Sequence, residues 1–120
     1  MLPAASRVRT PAEHRLVARR GRRGASGPLS VRVLSGRSDA VAAPARAGII
    51  VPKSVGTAVA RNLVKRRLRH LLAARIVDLP WGTSLVVRAD VGAAVLTSGR
   101  LAEHLDAALT AATGPVTAVR

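Results

Sequence analysis

The segment VARNLVKRRLRHLL, residues 59–72, constrains the fold more than any other part of the chain. It holds Arg61, Lys65, Arg66, Arg67 and Arg69, and no acid occurs between Asp39 and Asp78. Its apolar residues recur at helical spacing, so it reads as a helix with one packed side and a cationic remainder. At 100° per residue, Val59, Ala60, Val64, Leu68, Leu71 and Leu72 are expected on one broad side. Arg61, Lys65 and Arg69 align at i, i+4 and i+8 on the other, beside Asn62 and Arg66. His70 lies at the edge of that side, and Leu63 and Arg67 at the opposite margin. Like charges at i,i+4 repel by about 0.2–0.5 kcal/mol per pair, a cost that an anionic partner reverses.

The rest of the composition points the same way. The chain has 120 residues, a length that suits one compact domain over 1–120, with flexible ends expected at 1–9 and 115–120. There are 20 basic and 6 acidic residues, a formal charge of +14, and 18 of the 20 cations are Arg. Guanidinium matches phosphate oxygens with a planar fork of donors. A soluble domain does not need such an excess and destabilises itself by self-repulsion, so nucleic acid is the leading partner and anionic lipid the second. Without cysteine there is no disulfide framework, thiolate metal site or thiol nucleophile, which is compatible with a reducing cytoplasm. The apolar stretches AGIIVP and SLVV are far short of the ~20 residues that span a membrane, so no membrane partner is expected. The N-terminus lacks the apolar run of a secretory signal. The first 38 residues are Arg-rich with Glu13 as their one acid, as in a transit peptide, but a well-marked helix start argues against that reading.

That start is TPAEHRLVARRGRRG. Thr10 caps, Pro11 fits the first turn and Glu13 completes a capping box. Gly21 or Gly24 ends the helix, with Arg15, Arg19, Arg20, Arg22 and Arg23 making its far end basic. PLSVRVL reads as a strand with Leu29, Val31 and Val33 alternating inward, followed by the turn cluster SGRSD. AVAAPARAGIIV returns as a second strand, interrupted at Pro44 and surest over AGIIV, and the two suggest a hairpin. The basic helix begins at Gly56 or Thr57 and runs to about Arg75. LPWG turns, and TSLVVRA is a largely buried strand. RADVGAAVLTSG is long enough for a mobile loop. Ser98 caps a last helix with Leu101, Leu105, Leu109 and Ala112 inward, ended by Gly114 and Pro115. The expected class is α+β, a single compact two-layer α/β sandwich of order roughly αβ(β)βαβα, with a strand–helix–strand unit around the basic helix.

Nothing in the chain reads as catalytic. The six acids are scattered without general acid–base spacing. His14, His70 and His104 fall on three different helices, and no metal-ligand spacing or phosphate loop occurs. With no Phe or Tyr and a single Trp, Trp81 in a turn, base stacking is limited to His14 and Arg planes. Backbone and shape recognition of nucleic acid suits the chain better than sequence reading. A ribosomal or general RNA-binding protein would use the same basic face, and a membrane-surface helix is a third reading.

GIIVPKSVGTAVARNLVKRRLRHLL resembles the signature region of the bacterial ribonuclease P protein component. Gly48, Lys53, Gly56, Ala58, Val59, Arg61, Asn62, Lys65, Arg66 and Arg69 match its pattern, and the likeness extends over nearly the whole chain. The resemblance implies an accessory protein subunit of an endoribonuclease in which an RNA subunit carries the catalysis. That RNA, working with Mg2+ bound mainly by the RNA subunit and the substrate, removes the 5′ leader of precursor tRNA. The implied partners are the ribonuclease P catalytic RNA and precursor tRNA, in the cytoplasm, without an organic cofactor or a protein oligomer. RNA contacts are implied at Lys53, Arg61, Asn62, Lys65, Arg66 and Arg69, and leader contacts at His14, Arg15 and Arg19. The implied fold has a left-handed strand–helix–strand crossover, against the general rule. The chain departs from the family pattern twice. Leu63 stands where the family carries a third motif arginine, and His14 and Ala18 stand where relatives carry aromatics.

Overall fold

The computed structural model describes residues 21–34, 45–79 and 83–113. The helix expected from Thr10, with His14, Arg15 and Arg19, lies outside them. So do the SGRSD turn, Pro44, Trp81, the stop at Gly114 and Pro115, and both chain ends. Six regular elements follow in order: β1 (Arg22–Ser26), β2 (Leu29–Leu34), β3 (Arg46–Ile50), α1 (Ala58–Ile76), β4 (Ser84–Ala89) and α2 (Ser98–Thr113). This is the expected α+β arrangement, one mixed sheet with helices against it.

The sheet order is β1-β2-β4-β3, with β2 antiparallel to β1 and β4, and β3 parallel to β4. Two expectations change here. The segment with Arg22, Arg23 and Gly24, read as the basic end of a helix, is the edge strand β1. It makes a hairpin with β2 through Gly27 and Pro28, which supplies ladder hydrogen bonds that a helix end would lack. The hairpin suggested between β2 and β3 does not form, because β4 separates them. The reason lies in β4 itself: Ser84, Leu85, Val86 and Val87 are all buried. A strand with buried residues on both faces is most stable with a neighbour strand on each side. Joining β3 to β4 through α1 gives the strand–helix–strand unit.

Both helices cover one face. In register, Gly24, Val31 and Val87 share a row, as do Val33, Leu85 and Ala47. These strand residues form one core with Val64, Leu68, Leu72 and Ile76 of α1 and Leu101, Leu105, Ala108 and Ala112 of α2. Leu109 is only partly buried, so Ala108 takes the inward place expected for it. The small residues matter. A Cβ on Gly24 would lie 2.1 Å from the Ala108 carbonyl oxygen, so α2 rests on the bare backbone of β1. Ser26 Oγ and His104 Nδ1, 2.9 Å apart, add a hydrogen bond between the same elements.

The connection from β4 to α2 is packed rather than free. It contains the 3-10 turn Ala93–Val95, and Ala93 is fully buried. The cap of α2 is Thr97, not Ser98: Thr97 Oγ1 accepts from the Arg100 N–H. One residue of slippage between adjacent hydroxyl residues is within what capping preference resolves.

α1 and α2 are joined by a bidentate ion pair, Arg75 Nε to Asp106 Oδ1 at 2.5 Å and Nη2 to Oδ2 at 3.0 Å. These bonds hold the Asp106 carboxyl below the ordinary carboxylate range, with partial burial opposing. A depressed carboxylate stabilises the fold above its unfolded pKa of about 4, and the contribution fades as pH falls through the lower folded value. Asp106 is 59% exposed, so solvent screening keeps the effect below about 1 kcal/mol. Asp106→Asn should therefore lower the melting temperature slightly at pH 7, and melts of the two proteins should draw together as pH falls from about 4 through the lower folded value.

Candidate nucleic-acid interface

α1 begins at Thr57, whose Oγ1 accepts from the Ala60 N–H at 3.2 Å. Gly56 before it has φ 154° and ψ −158°, a region of backbone conformation that is essentially restricted to glycine. The preceding 3-10 turn, Lys53–Val55, buries Val55 and leaves Lys53 exposed. Lys53 is thus carried at the entrance to α1.

Along α1 the i,i+4 rows sort by depth. Val64, Leu68, Leu72 and Ile76 are buried. Asn62, Arg66, His70 and Ala74 form the exposed row. Two half-buried rows flank the core, Arg61–Lys65–Arg69 on one side and Leu63–Arg67–Leu71–Arg75 on the other. This shifts the expected wheel. Val59 is not packed but 81% exposed, because five residues before Val64 it stands about 140° away around the helix. Arg61, Lys65 and Arg69 each precede a core residue by seven positions, about two turns, so their stems lie along the core margin. Arg61 shows this most clearly: its Nε is buried without a hydrogen-bond partner.

The two flanks differ in how their cations are used. On the flank facing the β4–α2 connection, Arg67 Nη1 donates to the Leu96 carbonyl oxygen at 2.8 Å, and Arg75 holds Asp106. Among the described residues, the acids in ion pairs are Asp90 with Arg88, Glu103 with Arg100, and Asp106 with Arg75. None involves Lys53, Arg61, Lys65, Arg66 or Arg69. Among the described residues those five cations and Asn62 therefore form a surface without counter-charge, gathered from one turn and two rows of one helix. Leu63 and Val59 add an apolar margin beside Asn62, Arg66 and Arg69, where the helix surface is concave.

A second basic surface escaped the sequence reading. The sheet face away from the helices aligns Arg23 with Arg32 and Val86, and Ser30 with Arg88 and Ile50. Val86, Leu34 and Ile50 make a small apolar centre there. Arg23 and Arg32, directly opposite across an antiparallel pair, repel each other. The available signal was an arginine at one outward position of each otherwise apolar strand, as in VRV and VVRA. It places cations around apolar ground, a surface suited to a phosphate-bearing chain. Among the described residues no cluster of three or more His, Asp or Glu is placed to hold a metal, and no helix is long and apolar enough to cross a membrane.

Known proteins resemble this chain in sequence and in fold. The Ribonuclease P family model matches residues 2–113. A ribonuclease P protein component of Streptomyces avermitilis is 46% identical over 114 residues, covering 91% of this chain and 93% of the relative. Among solved structures, an RNase P protein from Staphylococcus aureus superposes with a TM-score of 0.76 at 23% identity, covering 88% of this chain and 93% of that one. An RNase P protein from Thermotoga maritima does so with a TM-score of 0.67 at 22% identity, covering 82% and 90%. The last two likenesses speak to the fold alone.

The cap at Thr57 anchors the start of the basic rows. Thr57→Ala should cost about 1 kcal/mol, read as a lower denaturation midpoint. Amide exchange should quicken over residues 58–61 and stay unchanged around Leu72.

Proposed function

The chain belongs to the ribonuclease P protein family, and from that premise we propose that it is the protein subunit that helps remove the 5′ leader of precursor tRNA. In this reading the chemistry belongs to the ribonuclease P RNA and the Mg2+ that RNA and substrate bind. The protein supplies charge and shape. The observation that carries the reading is the set of cations on α1 without counter-charge, held at the core margin while every ion-paired acid among the described residues engages a different arginine.

Lys53, Arg61, Asn62, Lys65, Arg66 and Arg69 would dock on the RNA subunit. The leader would lie along the outer sheet face, on Arg23, Arg32 and Arg88 around Val86, with His14, Arg15 and Arg19 of the preceding segment. Without Phe or Tyr in the chain, that contact rests on phosphate neutralisation and sugar packing rather than on aromatic stacking. Two RNAs that repel each other are brought together by a protein of charge +14, which lowers the need for free divalent ions. The setting for this work is the cytoplasm.

Reconstitution tests the reading. The purified chain alone should not cleave precursor tRNA. Mixed with ribonuclease P RNA, it should restore 5′ processing at Mg2+ concentrations where the RNA alone is slow, and no gain over RNA alone would sink the proposal. In the same system the Arg61→Ala, Lys65→Ala, Arg66→Ala triple variant should bind the RNA subunit more weakly. The slope of log K against log salt should shrink by roughly 2 to 3 units, at about 0.7–0.9 per lost phosphate contact.

Leu63 gives a converse measurement. It is half-buried at the border of the exposed row, so an arginine there keeps its stem packed and its head in solvent. Leu63→Arg should leave the melting temperature nearly unchanged and steepen the salt slope by about one unit.

A further inference from the structure

The side of α1 that faces the β4–α2 connection holds a groove that shares Arg66 with the docking rows and otherwise lies outside them. Arg66, Arg67, His70, Leu71 and Ser98 line a groove of about 360 Å3 between α1 and the first residue of α2. Leu71 forms an apolar floor, partly buried against the core. Arg67 is fixed in the wall by its bond to the Leu96 carbonyl oxygen. Arg66, His70 and the Ser98 hydroxyl have no partner among the described residues. Among the described residues no acid lines the groove, and the nearest one along α2, Glu103, is engaged by Arg100 at 3.0 Å.

We propose that this groove seats one phosphodiester of the RNA subunit, so that the docking surface continues from α1 onto the start of α2. The inference rests on the RNA-subunit reading above and adds His70 and Ser98 to its contacts. The chemistry is specific in kind. Arg66 and Arg67 supply charge-assisted donors, and the Ser98 hydroxyl and the His70 imidazole supply short-range donors that reach a tetrahedral anion from two helices. Arg67 acts as a positioning residue. By tying α1 to residue 96 it fixes the distance between Arg66 on one wall and Ser98 on the other. A strand leaving the exposed row of α1 would pass through the groove without crossing an acid.

The test is charge change at Ser98 in the full chain, bound to the ribonuclease P RNA. Ser98 is the first residue of α2 and exposed, and Asp is favourable in a first helical turn, so Ser98→Asp should fold. It should bind the RNA roughly tenfold more weakly, as expected for loss of a charge-assisted contact, with the salt slope reduced by about one unit. Ser98→Lys should do the reverse. Two opposite effects at one surface site cannot both arise from unfolding. Thr110→Asp, twelve residues further along α2, stands about 18 Å away, beyond a Debye length of roughly 10 Å at 0.1 M salt. It measures what overall charge alone does and should change affinity less than twofold.

If Ser98→Asp and Thr110→Asp have the same small effect while the α1 triple variant loses affinity, the groove is not a contact and the RNA-subunit reading stands. If the triple variant also binds like the parent chain, that reading fails and takes the groove with it.

Discussion

The burial of one row of α1 decides most of what this molecule presents to its surroundings. Val64, Leu68, Leu72 and Ile76 must face the sheet, because no other row of the helix is apolar over three turns. Once they do, the azimuth of every cation is set. Arg61, Lys65 and Arg69 are brought to the core margin, Arg66 to full exposure, and Arg67 and Arg75 to the flank where other elements hold them. A rotation of the helix by one residue, about 100°, would bury a guanidinium row and expose a leucine row. Hydrophobic packing thus orients the charge, and the charge does not have to stabilise the fold in return.

The helical part of this plan was legible in the sequence, since period and caps are local signals. The bounds of α1 and its capping residue follow from Thr57 and the apolar spacing. What failed was of two kinds. Val59 looked like part of the packed side because apolar identity was weighed above azimuth, and only the row structure separates it from Val64. The strand pairing failed because it is not local. Two strands adjacent in sequence, β2 and β3, are kept apart by β4, which arrives later and is buried on both faces. Likewise GRRG reads as a helix end until β2 offers it a partner.

The candidate site divides in the same way. The α1 cations were visible because they share a helix and a motif. Arg32 and Arg88 were not, and Arg23 was read as part of a basic helix end, because the three are distributed over three strands and meet only through register. The groove residue Ser98 was noticed for its capping chemistry, and its nearness to Arg66 depends on Arg67 holding residue 96. Each missed contact is a product of tertiary structure acting on residues that look ordinary one at a time.

The central place of β4 bears on how the chain is made. Its neighbours in the sheet come from residues 29–34 and 46–50, so neither can finish its pairing until residue 89 has left the ribosome. Such long-range pairing slows folding, and through that interval the arginines of the first two-thirds of the chain are tethered beside a large polyanion without a core to orient them. Closure of the sheet after synthesis of β4 is then what converts a generally sticky polycation into a surface with one preferred face.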